Sequence, residues 1–120
     1  MIETDILKKT LTELCKTYAG KGLFYRRNVG GMQTANGFVK FGLPGQADIA
    51  GILYGIAWEI EIKIATGKQT CDQANWQKAV ERAGGVYILT RSPEDCLEQI
   101  VRHLNRLSGH ATVPSTRPNT

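Results

Sequence analysis

The sequence predicts an α/β fold with a mixed central β-sheet flanked by helices. In three segments, apolar residues recur every three or four positions, as is typical of helices packed on a core. Short apolar runs bounded by turn residues predict strands, so the order is helix, strands, helix, strand, helix. Hydrophobic residues are 42% of the 120 and charged residues 22%, which favours one domain with a buried core. We expect this domain to span residues 1–107 and the aperiodic segment 108–120 to be a disordered tail.

The N-terminal third is predicted to hold one helix and one strand. The helix runs roughly from Ile2 to Tyr18 and ends at a glycine-rich stop. A strand follows over Leu23–Asn28 and closes on a turn at Gly30–Gly31. The polar, glycine-rich stretch Met32–Gln46 is predicted to be mostly loop, with one short possible strand at Phe38–Phe41.

The middle of the chain is predicted to form a β-hairpin. Two strands, Ala47–Leu53 and Ile56–Lys63, are joined by the two-residue link Tyr54-Gly55. Side chains alternate between the two faces of a strand, so the isoleucines of the second strand share one face. The opposite face then carries three charged residues, Glu59, Glu61 and Lys63.

The C-terminal half is predicted to be helix, strand, helix. Thr70 can cap a helix that runs to about Ala83, and Gln73 three residues later completes a capping box. Val86–Leu89 is a buried strand, and Ser92 followed by proline and two acids begins the last helix.

Composition excludes several classes of protein. No apolar run is long enough to cross a bilayer, and the acidic N-terminus does not resemble a signal peptide, so we expect a cytoplasmic protein with no membrane partner. The odd number of scattered cysteines, without a Cys-x-x-Cys pair, argues against a disulfide framework or a zinc site. A net charge of +4 is compatible with a polyanionic partner.

The charged face of the second hairpin strand suggests a chemistry. Counting back from the turn brings Asp48 roughly opposite Glu59–Glu61, although the sequence does not determine the register. If Asp48 shares their face, two or three carboxylates converge with Lys63 at the edge, and a divalent cation would relieve their repulsion. That arrangement suits metal-assisted hydrolysis of a phosphodiester, in which a lysine orients the water or stabilises the developing charge.

Asp48, twelve intervening residues and then Glu61-Ile62-Lys63 resemble the D-x(n)-E-x-K signature of the PD-(D/E)xK nuclease superfamily. The "PD" dipeptide itself is absent, since Ala47 precedes Asp48. Over about Glu3 to Ile100 the chain resembles the VRR-NUC nuclease domain, in its small stand-alone form typical of bacteriophages. Four ordered motifs carry this resemblance: G-L-P-G-Q-A-D-I-A-G-I-L (Gly42–Leu53), E-I-K (Glu61–Lys63), G-K-Q-T-C-D-Q-A-N-W (Gly67–Trp76) and G-G-V-Y-I-L (Gly84–Leu89).

The resemblance implies a restriction-endonuclease-like fold and a role for each matching residue. Asp48, Glu61 and the Ile62 carbonyl would hold Mg²⁺ or Mn²⁺, and Lys63 would be the catalytic lysine. Gln73 would support the site from its helix, and Glu3 would reach the metal directly or through water. The implied activity is a DNA endonuclease that selects branched DNA such as four-way junctions, acting as a homodimer in the host cytoplasm.

Several alternatives stay open. The capping box alone explains Gln73, and the positive end of its helix alone explains Glu3. Nothing in the signature requires Glu59. Arg26, Arg27, Lys40 and Lys68 are candidates for phosphate contacts, against the alternative of ordinary surface charge. Instead of an enzyme, the protein could be a catalytically idle, structure-specific DNA-binding module or an interaction partner in phage DNA replication or repair.

Overall fold

A computed structural model describes residues 2–27 and 30–109, with the backbone alone for residues 30, 31, 39–41 and 109. Within these ranges the helices and strands follow the predicted order. They are α1 (Glu3–Thr17), β1 (Gly22–Arg26), β2 (Gly30–Thr34), β3 (Gly37–Phe41), β4 (Ile49–Leu53), β5 (Ile56–Ile62), α2 (Cys71–Arg82), β6 (Val86–Thr90) and α3 (Pro93–Gly109).

The central sheet has four strands in the order β1-β4-β5-β6. The β1–β4 and β4–β5 pairs are antiparallel and the β5–β6 pair is parallel, so the sheet is mixed. Parallel neighbours need a crossover connection, and α2 supplies it between β5 and β6. The predicted α/β fold with a mixed sheet and flanking helices is confirmed.

The core lies between one face of this sheet and helices α1 and α3. Alternate residues of β5, Trp58, Ile60 and Ile62, are fully buried there together with Leu14 and Ile100. Helix α2 covers part of the opposite face. Because both faces of β5 are covered, its charged residues are not on a solvated surface and need partners inside the protein.

The β4–β5 hairpin matches its prediction. Tyr54 and Gly55 have φ of 52° and 76°, the two positive values that a type I′ turn requires. Ile49 pairs with Ile60, and one further step along both strands places Asp48 opposite Glu61. The register that the sequence left open therefore puts Asp48 on the charged face.

In the segment before this hairpin, the possible strand at Phe38–Phe41 is confirmed as part of β3, but the predicted turn and loop are wrong. The expected turn at Gly30–Gly31 is the beginning of β2, and most of the expected loop is a second hairpin, β2–β3, which forms its own two-stranded sheet. Its turn is Ala35-Asn36, followed by Gly37 at a φ of 119° that favours glycine. We call residues Gly30–Phe41 the hairpin arm. Strand β1 ends at Arg26, and Asn28 lies outside the described residues.

The last helix is longer than predicted. Helix α3 continues to Gly109, so Ser108 and Gly109 belong to the helix and not to the expected tail. Extending a formed helix by a residue costs little compared with nucleating it, which explains why it outlasts its apolar stripe. The rest of the expected tail lies outside the described residues. None of the helices described has the length and apolar character needed to span a membrane.

Candidate metal centre

Asp48 and Glu61 form a carboxylate pair where β5 ends. Asp48 precedes β4, and its Oδ2 accepts a hydrogen bond of 2.9 Å from the backbone N–H of Ile62. In a strand, the N–H and C=O of one residue point to the same side, as the paired bonds of antiparallel ladders require. The Ile62 carbonyl therefore lies on the same edge as the Asp48 carboxylate, which makes it available as a further oxygen ligand.

Glu61 is almost fully buried, with 4% of its surface exposed. Its Oε2 accepts from Gln73 Nε2 at 2.9 Å and lies 3.8 Å from Lys63 Nζ. Its Oε1 is buried and has no hydrogen-bond donor among the described residues. A buried oxygen without a donor is costly, and either a proton or a cation would satisfy it.

The electrostatics of the pair favour a bound positive charge. Burial raises the pKa of Glu61 to about 8, and the negative charge of Asp48 adds to the effect while Lys63 opposes it. Burial also raises the pKa of Asp48, against the hydrogen bond from Ile62. Two carboxylates held together in a low dielectric resist ionisation, so at neutral pH the pair takes up a proton or a cation.

Gln73 makes the contacts that both of its predicted roles require. The side-chain Oε1 of Gln73 accepts a hydrogen bond of 2.9 Å from the backbone N–H of Thr70. The backbone N–H of Gln73 donates to Thr70 Oγ1 at 3.1 Å, which completes the capping box. Its Nε2 remains free to donate to Glu61. One side chain therefore begins α2 and orients a carboxylate of the pair.

Lys63 lies immediately beyond β5 with 11% of its side chain exposed. Its backbone N–H donates to the Thr90 carbonyl at 3.0 Å, which extends the parallel pairing with β6 by one residue. The backbone of Lys63 is therefore ordered, and its ammonium lies 3.8 Å from Glu61 Oε2 and is largely shielded from solvent.

Glu3 does not join the pair. It is exposed in the first turn of α1, yet its charge contributes to the raised pKa of both Asp48 and Glu61, so it lies near enough to repel them. The described residues contain no cluster of three or more His, Cys, Asp or Glu side chains suited to a metal. Magnesium commonly takes one or two carboxylates and completes its shell with water and phosphate, so the pair fits it without a third acid.

Glu59, whose role the sequence left open, belongs to a separate group. Both of its oxygens accept from the Arg27 guanidinium, Oε2 at 2.8 Å, and Oε1 also accepts from Trp76 Nε1 at 2.8 Å. The Arg27 backbone N–H in turn donates to the Asp48 carbonyl at 2.8 Å. The group therefore ties β1 and α2 to β5 beside the carboxylate pair, and Glu59 has no free oxygen to offer a metal.

The four residues predicted to contact phosphate have different surroundings in the structure. Arg26 and Lys68 are exposed, Arg26 at the end of β1 and Lys68 before α2. Arg27 differs from the prediction, because its guanidinium is held by Glu59 with 17% of the side chain exposed. Lys40 is in β3, and its side chain lies outside the described part of the chain.

Two further residues that sequence reasoning did not single out shape the surroundings. Arg91 Nη1 donates to the carbonyls of Ile64 (2.5 Å) and Gly67 (2.9 Å), which holds the loop after Lys63. Gly45 has a φ of +81°, and a Cβ there would lie 2.1 Å from the Asp72 carbonyl oxygen. Only glycine allows this close approach between the loop before Asp48 and the start of α2. A glycine after a proline gives the signal of a turn, but not of this contact.

Fold and site together define an α/β protein with a buried carboxylate pair, a neighbouring lysine and an amide from the crossover helix. A scan of protein-family models and searches of curated proteins and of solved structures find no match to this chain.

Proposed function

We propose that this protein is a Mg²⁺- or Mn²⁺-dependent DNA endonuclease that hydrolyses phosphodiester bonds, with branched DNA such as a four-way junction as its substrate. One observation carries the proposal. A buried glutamate, Glu61, has an oxygen without a donor in the described structure, beside a second carboxylate and 3.8 Å from the Lys63 ammonium. A divalent cation satisfies that oxygen, and the lysine supplies the positive charge that phosphoryl transfer needs.

Each residue has a definite task in the reaction. Asp48, Glu61 and the Ile62 carbonyl would hold the ion, which, when bound, polarises the phosphoryl oxygen and lowers the pKa of a water. Lys63 orients the attacking water or stabilises the charge on the pentavalent phosphorus centre. Gln73 fixes the orientation of the Glu61 carboxylate, and burial of the pair excludes bulk water from its interior side.

The choice of branched DNA and of a homodimer rests on the resemblance to small stand-alone VRR-NUC domains. A 120-residue monomer offers little surface with which to recognise a branch. A two-fold dimer presents two sites related by symmetry, which suits paired cuts across a junction.

The test is a cleavage panel of junction, flap and linear duplex DNA in Mg²⁺, in Mn²⁺ and in EDTA. Wild-type protein is expected to cut at least one branched substrate with metal only, and Asp48→Ala, Glu61→Ala and Lys63→Ala are each expected to lose cleavage. Lys78→Ala and Glu98→Gln, which change exposed residues of α2 and α3, are the matched controls and should cut normally.

Two results would favour other functions. If no DNA is cut while wild type and Lys63→Ala bind junctions equally, the protein is a binding module with an idle site. If DNA binding is weak and insensitive to salt, an interaction partner in DNA replication or repair is the better description.

A further inference from the structure

The hairpin arm is a β-hairpin with two large apolar side chains that are mainly exposed. Met32 and Phe38 are 53% and 60% exposed, and their strand positions put them on opposite faces of the arm. Within the described chain, the arm makes at most marginal contact with any other helix or strand. Phe38, on an element that packs on no other described helix or strand, is available for a contact outside the protein.

Both connections of the arm lead to the carboxylate pair. On one side, the Arg27 backbone N–H donates to the Asp48 carbonyl at 2.8 Å, just before the chain enters the arm. On the other side, the chain returns through Gly45, which packs against the Asp72 carbonyl at the start of α2, next to Gln73. The described residues that flank the arm, Arg27 and Gly45, are therefore held beside the residues that would bind the scissile phosphate.

The segment of the chain that contains the arm is basic, although the arm itself has one charged residue, Lys40. Between Glu13 and Asp48 there are five basic residues and no acidic one. The rest of the chain has ten basic and eleven acidic residues, a net charge of −1, so this segment accounts for the whole excess. Of these five, Arg27 is held by Glu59 and Lys16 lies 3.8 Å from Glu13, so the charges next to the arm are the exposed Arg26 and, within the arm by sequence, Lys40. With no acidic residue in the arm, this edge of the molecule attracts a polyanion.

We propose that the hairpin arm docks DNA next to the carboxylate pair and that Phe38, close to the turn of the arm, stacks on an unpaired base of that DNA. The inference rests on the proposed function, and it names the element that distinguishes a branch from a continuous duplex. An aromatic ring gains from stacking on a base whose face is free, and in a continuous duplex neighbouring base pairs occupy those faces. Gln33 pairs with Phe38 across the arm, so its amide lies on the same face and can reach a base edge.

Metal-free binding of fluorescently labelled DNA tests this directly. The probes are a continuous duplex and the same duplex with a single-stranded flap, titrated with full-length protein in EDTA. Phe38→Ala is expected to bind the flap probe about 5- to 150-fold more weakly and the continuous duplex within about twofold of wild type. Phe38→Tyr, which keeps a ring for stacking, is expected to restore the flap affinity.

Tyr54→Ala is the matched control, because Tyr54 is an aromatic residue of similar exposure, 53%, at the far end of β4 from Asp48. It should bind both probes like wild type. If Phe38→Ala binds the flap like wild type, or instead changes the mass of the protein in sedimentation, the arm does not dock DNA in this way.

The outcome is independent of catalysis. If the protein binds DNA through Phe38 but cuts none, the proposal for the arm stands and the proposed endonuclease activity is contradicted. If the Phe38→Ala variant binds and cuts flap DNA at wild-type levels, the endonuclease activity stands and the proposal for the arm is contradicted.

Discussion

Glu59 and Glu61 lie two positions apart on the same face of β5 and have different surroundings. Glu59 receives both arms of a guanidinium and an indole N–H, whereas Glu61 has one amide donor, a lysine 3.8 Å away and one oxygen without a donor. Alternation in the sequence predicted the shared face correctly. It could not distinguish the two glutamates, because their partners come from β1 and α2, which only the folded chain brings together.

The raised pKa of Glu61 gives the metal-free protein a pH dependence of known sign. In the unfolded chain this carboxyl loses its proton near its ordinary value of 4.5, but the fold retains the proton up to about 8. The folded state therefore binds more protons across this range, and the free energy of unfolding decreases as pH rises through it. One pKa unit corresponds to about 1.4 kcal/mol, so the loss is on the order of a few kcal/mol.

Denaturant unfolding in EDTA at pH 5 and pH 8.5 measures this slope. Glu61→Gln is neutral at both pH values, so the decrease in its free energy of unfolding between them should be much smaller. Adding Mg²⁺ should restore stability at pH 8.5 for the wild type but not for Glu61→Gln. Equal slopes for wild type and Glu61→Gln would show that Glu61 ionises freely in the fold.

The Arg27–Glu59 pair is expected to serve the fold and not the metal. Glu59→Gln leaves a largely buried guanidinium without its charge partner and should lower the free energy of unfolding by about 3 kcal/mol. Arg27→Met with Glu59→Met removes both charges and should cost less than the single change. Calorimetric Mn²⁺ affinity should be unaltered in both, and a folded Glu59→Gln protein that no longer binds Mn²⁺ would place Glu59 in the metal centre.

At the scale of elements, the two hairpins were not equally predictable. The first has a type I′ turn at Tyr54-Gly55, whereas the hairpin arm turns at Ala35-Asn36 with its positive φ at Gly37. The strands of the arm are short and rich in glycine, and they lack the apolar run that marked β4 and the alternation that marked β5. Alternation reports burial of one face, and none of the described side chains of the arm, residues 32–38, is buried. The arm was therefore missed for the same physical reason that makes it available to a partner.

The start of α2 couples helix formation to the carboxylate pair. Thr70→Ala removes only the cap and should cost about 1 kcal/mol in unfolding while cleavage is retained. Gln73→Ala also removes the donor to Glu61 and should lower kcat by about 10- to 100-fold in addition.

Comparing the two variants separates the roles of Gln73. If Thr70→Ala and Gln73→Ala are equally stable and cleave equally well, Gln73 acts only as a helix cap and has no role at the carboxylate pair. In Gln73→Glu, the new carboxylate can still accept the hydrogen bond from the Thr70 backbone, so α2 should form. It cannot donate to Glu61 and adds a third negative charge beside the pair, so this variant should lose cleavage.

At the scale of the whole molecule, the site lies where the sheet topology favours one. Glu61 and Lys63 stand at the carboxyl end of β5, beside its parallel neighbour β6, and ligands of α/β sheets bind outside such ends. The order of helices and strands along the chain and a mixed sheet with flanking helices could be expected from the sequence. The distances that make this edge a site depend on the register of β4 and on the packing of α2, to which residues distant in sequence contribute.

The exposed basic side chains of Arg26 and Lys68 should contribute to the salt dependence of DNA binding. If Arg26 and Lys68 each contact one phosphate of duplex DNA, Arg26→Ala and Lys68→Ala should each reduce the slope of log K against log salt by about 0.9. Arg102→Ala is the control, since Arg102 is exposed on α3, on the other side of the sheet from the carboxylate pair. An unchanged slope in both variants would remove them from the DNA-contacting surface.

The bond from the Thr70 amide to Gln73 makes this amide a remote reporter of the site. Its N–H donates to one end of the Gln73 side chain, whose other end donates to Glu61. Any change in charge at Glu61, from a proton or an ion, polarises that amide group and shifts its proton resonance. A single backbone signal at the start of a surface helix would thus follow occupancy of the site in real time, without a labelled ligand and without DNA.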